Sequence, residues 1–381
     1  MSRSPFIVAG LLAALVATGC AKDATSSSSA RGARTNMITV SLTDDGCEPR
    51  EISAKAGPAT FEVENSGADN VTEFELLKGG TIVGEVENVT PGVPAKFSIT
   101  LKAGSYTTNC TGGTKAKGTL EVATSGIGET ADSGARTKAV SAYLAYVRSE
   151  ADLLVPATEA FAAAVTAGDV AKAESLFAAA RYHYESIEPI AESFGDLDPK
   201  IDARDGDVPA AEWGGFHLIE KSLWQDNTAV GMAPVADALV SNVKGLQSKI
   251  DAGITLEPSQ IANGAVELLN EVSSSKVTGE EDRYSGTDLS DFAANVEGSE
   301  KAFDTVKPLL AGTQDALVKN IDQRFADVLA ALNVYKDPTS VANGYAIYTA
   351  IKGDDFNTQT LSAKVDALVE PLSKVAALVL R

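Results

Sequence analysis

Histidine is the scarcest chemistry-bearing residue in this chain. The 381 residues include two, beside three cysteines, three methionines and two tryptophans. A site needing three imidazoles cannot be built within one chain. Basic residues are also in short supply: 32 Lys and Arg face 52 Asp and Glu, a formal charge of −20. That balance argues against sequence-independent binding to DNA or RNA, which needs a basic footprint. It suits cations as ligands, although most of the carboxylates form a solvated surface. No His-Glu-x-x-His helix occurs, so a thermolysin-like zinc protease is not indicated. The Gly-x-Ser-x-Gly elbow of serine hydrolases is missing too. Hydrophobic residues at 44% and charged residues at 22% are ordinary for a folded soluble chain of two or three domains.

The N-terminus reads as a targeting segment. Arg3 supplies a short basic region, and Phe6 to Thr18 is a nearly unbroken apolar run, too short to span a bilayer. It ends at Ala17-Thr18-Gly19-Cys20, where small residues before a Cys resemble a bacterial lipobox. Residues 1–19 are therefore expected to be a lipoprotein signal peptide and Cys20 the lipidated residue, with simple secretion as the alternative. Residues 20–36, with Ser26 to Ser29, read as a flexible tether.

Two composition regimes follow. Over 37–124, apolar and polar residues alternate, as in Ile38, Val40 and Leu42, then Phe61 and Val63, then Phe97, Ile99 and Leu101. Gly57-Pro58, Gly79-Gly80, Pro91-Gly92 and Gly112-Gly113 break the runs. Period-2 alternation with regular turn signals predicts a small all-β antiparallel sandwich. Residues 125–134 are polar and read as a linker. From 135 to 381 the spacing becomes helical; Val140, Tyr143, Leu144 and Val147 fall at i, i+3, i+4, i+7. Roughly eight helices packed as bundles are expected.

The sharpest local feature is Trp213-Gly-Gly-Phe-His217-Leu-Ile-Glu220-Lys-Ser-Leu-Trp224. On a helix His217 and Glu220 share a face and can reach one ion. An imidazole with a carboxylate suits a borderline divalent metal such as iron or zinc, although such a pair also serves as a hydrogen-bonded core histidine. Upstream, Glu185, Glu188 and Glu192 follow i, i+3, i+7. Three like charges on one helix face repel, and a bound cation or a neighbouring Arg would relieve them. His183, between two tyrosines, reads as a packing residue.

Taken together, Tyr184-Glu185-x-x-Glu188-Pro, Phe194-Gly-Asp-Leu-Asp-Pro199, Gly215-Phe-His217-x-x-Glu220-Lys, Leu223-Trp224 and Gly279-Glu-Glu-Asp-Arg-Tyr-Ser285 resemble the imelysin family, in particular its EfeO-type iron uptake components. The resemblance runs from about residue 37 to the end. It implies a cupredoxin-like β-sandwich followed by an all-α domain of two helix bundles, with the His-x-x-Glu pair where they meet. It further implies iron as the metal, and an iron permease and a haem peroxidase as partners. His217 and Glu220 become expected ligands, with Asp237 and Glu281 as completing carboxylates.

The sandwich contains no His, which excludes a blue-copper site. Cys47 and Cys110 remain, with Glu73 and Glu75 sharing a strand face between them. The family resemblance implies a copper or zinc site at Cys47, Glu73 and Cys110. Outside the cytoplasm, a Cys47–Cys110 disulfide is the competing expectation. The combined reading is a surface-anchored iron-binding component of an uptake system. Its rivals are an imelysin-type metallopeptidase and an adaptor lipoprotein without metal.

Overall fold

The computed structural model describes residues 36–124, 133–348 and 358–380; the expected signal peptide, Cys20 and most of the tether lie outside them. Nine strands open the fold: β1 (Asn36–Thr43), β2 (Gly46–Glu48), β3 (Glu51–Lys55), β4 (Gly57–Asn65), β5 (Phe74–Lys78), β6 (Thr81–Val86), β7 (Ala95–Leu101), β8 (Gly104–Asn109) and β9 (Lys117–Ala123). They form two sheets, in the orders β2-β1-β4-β7 and β3-β9-β8-β5-β6. The alternation read from the sequence is the pleat itself: Val40, Leu42, Phe61, Val63, Leu120 and Val122 turn inward and are buried. Phe61 and Phe97 stack with centroids 4.8 Å apart, and Phe74 tilts against both.

One expectation needs correcting. The sandwich is mixed, because β1 runs parallel to β4 and β3 parallel to β9. Alternation reports which face is buried and carries no information on strand direction. Of the two expectations for the cysteines, the structure holds the disulfide: Cys47 on β2 and Cys110 just after β8 are bonded and tie one sheet to the other. In this oxidised form neither sulfur is a thiolate.

The helical half comprises α1 (Ser133–Thr166), α2 (Val170–Glu185), α3 (Asp198–Asp202), α4 (Gly215–Trp224), α5 (Ala233–Ala252), α6 (Pro258–Ser274), α7 (Asp288–Val306), α8 (Asp315–Leu332), α9 (Thr358–Leu372) and α10 (Val375–Val379). One group packs α1 on α2 and α5, and α2 on α4 and α7; a second packs α6 on α7 and α9, with α8 on α9. No described helix is long and apolar enough to cross a membrane.

The acidic stripe does not survive as one helix. Pro189 disfavours helical geometry at the residue before it, and α2 ends at Glu185. Glu188 and Glu192 then lie in a 3₁₀ segment, Glu188–Leu197, that folds back onto α6. Gly264 makes that contact possible: a Cβ there would sit 1.7 Å from the Pro189 carbonyl oxygen. Gly215 does the same at the start of α4, with φ of +70° and a Cβ position 2.2 Å from the Ile201 oxygen. These two approaches bring the 188–202 segment against α4 and α6.

The sandwich docks on α6. Glu87 N–H donates to Glu267 Oε1 at 2.8 Å, Asn263 Nδ2 to the Ser98 oxygen at 2.8 Å, and Lys102 pairs with Glu257 at 3.0 Å.

The disulfide closes a loop of 63 residues, which constrains the unfolded chain by about 4 kcal/mol in the chain-entropy model. The double variant Cys47→Ser/Cys110→Ser is expected to lower the thermal unfolding midpoint of the sandwich markedly. Calorimetric scans of the double variant check this, and an unchanged midpoint would show that the bridge does not constrain the unfolded chain.

Candidate metal centre

Arg181 is among the largest fully buried side chains of the described residues. Arginine tolerates such burial only when paired, and here it meets five carboxylates. Nε donates to Asp291 Oδ2 at 2.7 Å and lies 3.2 Å from Asp282 Oδ1. Nη1 donates to Asp202, and Nη2 to Glu185 and, at 3.1 Å, to Glu281. The planar guanidinium offers five donors in a fixed fork, so it sets the relative positions of α2, α3, α7 and the loop 279–287. Phe177 and Phe216 each lie 5.8 Å from its central carbon.

Beside it stands His217 on α4, 1% exposed. Its Nδ1 is 2.9 Å from Glu220 Oε2. Its Nε2 faces Glu281 Oε1 at 3.3 Å and Asp202 Oδ1 at 3.6 Å, and has no hydrogen-bond partner. Two sets of donor atoms thus converge on the ring within 4.8 Å of one another: Asp202, His217 and Glu281 on one side, His217, Glu220 and Asp282 on the other. Burial and Arg181 push the imidazole pKa down. The carboxylates of Glu220, Glu281 and Asp202 around the ring outweigh them and raise it to about 9.

Two further cations complete the counter-charge. Lys276 Nζ, almost fully buried, lies 2.7 Å from Glu188, 3.4 Å from Glu185 and 3.4 Å from Glu281. Arg204 reaches Glu271, Glu280 and Glu281, each at 3.2 Å. Burial favours the neutral form of Glu281, but Lys276, His217, Arg181 and Arg204 hold its pKa well below the usual range. Asp202 is moved the other way, to about 7, because burial outweighs Arg181.

Asp202 and Glu281 also line a cavity of about 280 Å³. Its walls include Glu188, Glu192 and Glu267 from the helical half and Glu85 and Glu87 from the sandwich. Burial and mutual repulsion raise Glu87 and Glu192 to about 7 and Glu267 to about 8. Glu73 lies with Glu85 and Glu87, one oxygen of each within 4.8 Å of the others.

His217, Glu220 and Glu281 are therefore brought together as expected. Asp237 is not. It is exposed on α5, one residue past Ala236, on a helix whose inward face is Ala236, Leu239, Val243, Leu246 and Ile250. Its helical phase points it to solvent, so it cannot complete the centre. Asp202, Asp282, Arg181 and Lys276 escaped the sequence reading. The acidic stripe did ask for a neighbouring arginine, and Arg181 is that residue. His183 packs as expected, with Nδ1 2.9 Å from Glu150.

A nine-stranded sandwich ahead of two helix groups, with one histidine buried among carboxylates where they meet, defines the class. The imelysin family model matches residues 139–375 and a cupredoxin-like domain model matches residues 10–122, and the chain belongs to the imelysin family. Its similarity extends to the iron uptake system component EfeO of Escherichia coli O157:H7, 40% identical over 91% of this chain and 92% of that protein. EfeO of Escherichia coli K12 and of Shigella flexneri match at the same identity and coverage.

Replacing Arg181 leaves five buried carboxylates without their shared counter-charge. Arg181→Met is expected to cost about 3–5 kcal/mol, the range for breaking a buried pair. The deficit should narrow as pH falls and the carboxylates protonate. Thermal unfolding at pH 7 and pH 5 measures both effects, and an unchanged midpoint would show that the cluster is not held by Arg181.

Proposed function

We propose that this chain is the extracytoplasmic iron-binding component of an iron uptake system. It captures iron and passes it to a membrane permease, with a haem peroxidase as the system's further partner. In this reading residues 1–19 are removed and Cys20 carries the lipid that anchors the protein to the cell envelope. The observation that carries the proposal is the buried His217 Nε2, without a hydrogen-bond partner, facing Asp202 and Glu281, two residues that line a carboxylate-rich cavity. The printed names of the EfeO relatives support the same reading.

One imidazole among oxygen donors suits iron better than a soft ion such as Cu(I). His217 Nε2, Asp202 and Glu281 would hold the iron. A binding role is favoured over peptide hydrolysis. The carboxylate oxygens that face Nε2 are already shared with Arg181, whereas a water-activating zinc site typically shows three protein ligands and an open position.

Anaerobic calorimetric titration of the mature protein with Fe²⁺ tests this. His217→Ala and Asp202→Asn should each weaken binding by at least ~10-fold, on the scale of lost ligand-shell interactions. Asp237→Asn, on the outer face of α5, should bind as wild type. Unchanged affinity in both of the first two variants would overturn the assignment of the centre. Iron must also displace the proton from an imidazole whose pKa is about 9. Below that value the proton competes, so affinity should rise with pH by up to ~10-fold per unit between pH 6 and 8. A flat profile would remove His217 from the ligand set.

A further inference from the structure

We infer that Glu220 is a positioning residue for His217 and not a metal ligand, and that metal is taken on the Nε2 face of the ring. This deepens the iron-binding reading and rests on it. The two faces of the imidazole are not equivalent. On the Nδ1 side, Glu220 is completely buried and both of its oxygens are engaged. Oε2 accepts from Nδ1–H at 2.9 Å. Oε1 accepts from the backbone N–H groups of Tyr284 and Ser285, at 2.9 and 2.8 Å. If Glu220 turned to a metal, these backbone donors would lose their acceptor, and an N–H left unpaired away from water is costly. On the Nε2 side the nitrogen has no hydrogen bond, and two carboxylate oxygens stand 3.3 and 3.6 Å away.

Access points the same way. Asp202 and Glu281 line the cavity, whereas Glu220 and Asp282 do not. A cation arriving through the cavity meets the two carboxylates that face Nε2, and not Glu220 on the other side of the ring. Glu220 does two things at once from the other side. It fixes the proton on Nδ1, as a carboxylate does for a metal-bound histidine, and it ties α4 to the loop that carries Glu281. The His-x-x-Glu spacing in this protein thus builds an oriented ligand from one turn of helix, and the remaining ligands come from α3 and the 279–287 loop.

Zn²⁺ is a suitable probe because it is diamagnetic. The full mature chain, labelled with ¹⁵N-histidine, contains two histidines, and His183→Gln assigns them. The expected long-range ¹H–¹⁵N spectrum of the zinc-loaded protein has His217 protonated at Nδ1 and metal-bound at Nε2. Zinc on Nδ1 would overturn the inference while leaving metal binding at His217 intact. Zinc that binds without touching either His217 nitrogen would overturn both the inference and the centre. A titration cycle supplies the second measurement. Glu220→Gln keeps the side-chain volume and can still accept from the two backbone amides, but its amide N–H no longer takes the Nδ1 proton. It should weaken zinc binding ~10–100-fold. In the His217→Ala background the same change should have almost no further effect, because Glu220 acts through the ring. An equal loss in both backgrounds would make Glu220 a ligand in its own right.

Discussion

Everything around the metal centre depends on one guanidinium sealed from water. Arg181 touches carboxylates from α2, α3, α7 and the 279–287 loop, and among the described residues no other ion pair set links so many elements. Burying that many acids without a cation would be prohibitive, because an isolated carboxylate in a low-dielectric interior loses its ionised form. Burying the arginine alone would be equally costly. The cluster exists only as a whole, and it forms where α2 ends, beside the α4 histidine. Lys276 and Arg204 extend the same logic outward to Glu188 and Glu271.

The consequence is an electrostatic gradient along the cavity. At the inner end Glu281 is gripped by three basic side chains and stays ionised. Toward the sandwich, burial and neighbouring acids push Glu85 well above the ordinary carboxylate range, with Glu192 and Glu87 as its main companions. Protons held at the outer end are exchangeable for a cation, since the repulsion that raises those pKa values is what a cation removes. The sandwich lines the cavity with Glu85 on β6 and Glu87 just after it, set there by docking on α6, while its two sulfurs hold its own sheets together.

How much of this was legible depends on range. Strand faces could be read from Ile38, Val40 and Leu42 because a period of two is local; the parallel pairing of β1 with β4 could not, because it is a matter of topology. His217 and Glu220 were legible because one helical turn joins them. Asp202 was not, because the irregular stretch 203–214 separates α3 from α4, and the close approaches at Gly215 and Gly264 that hold the 188–202 segment in place are tertiary. Arg181 sits in an Ala-rich amphipathic helix where a basic residue ordinarily faces water. Asp237 misled in the opposite direction: a plausible acid at a plausible distance in sequence, but one position out of phase with the buried face of α5.

The buried histidine joins these two scales. Its neighbours one turn away fix its orientation, and its neighbours far away in sequence give it something to bind with. A helix can supply the first set from its own spacing, as Glu220 does. The second requires separate segments to be held within a few ångströms of Nε2 while carrying like charge, which no local preference can arrange. Arg181 does that for Asp202 and Glu281, bonding the oxygen of each that faces Nε2. The same cation that makes the site possible therefore also competes for its ligands. If a cation binds here as proposed, its affinity would be the difference between what the ion offers those oxygens and what the guanidinium already gives them, so Arg181 would set how tightly the site holds and how readily it lets go.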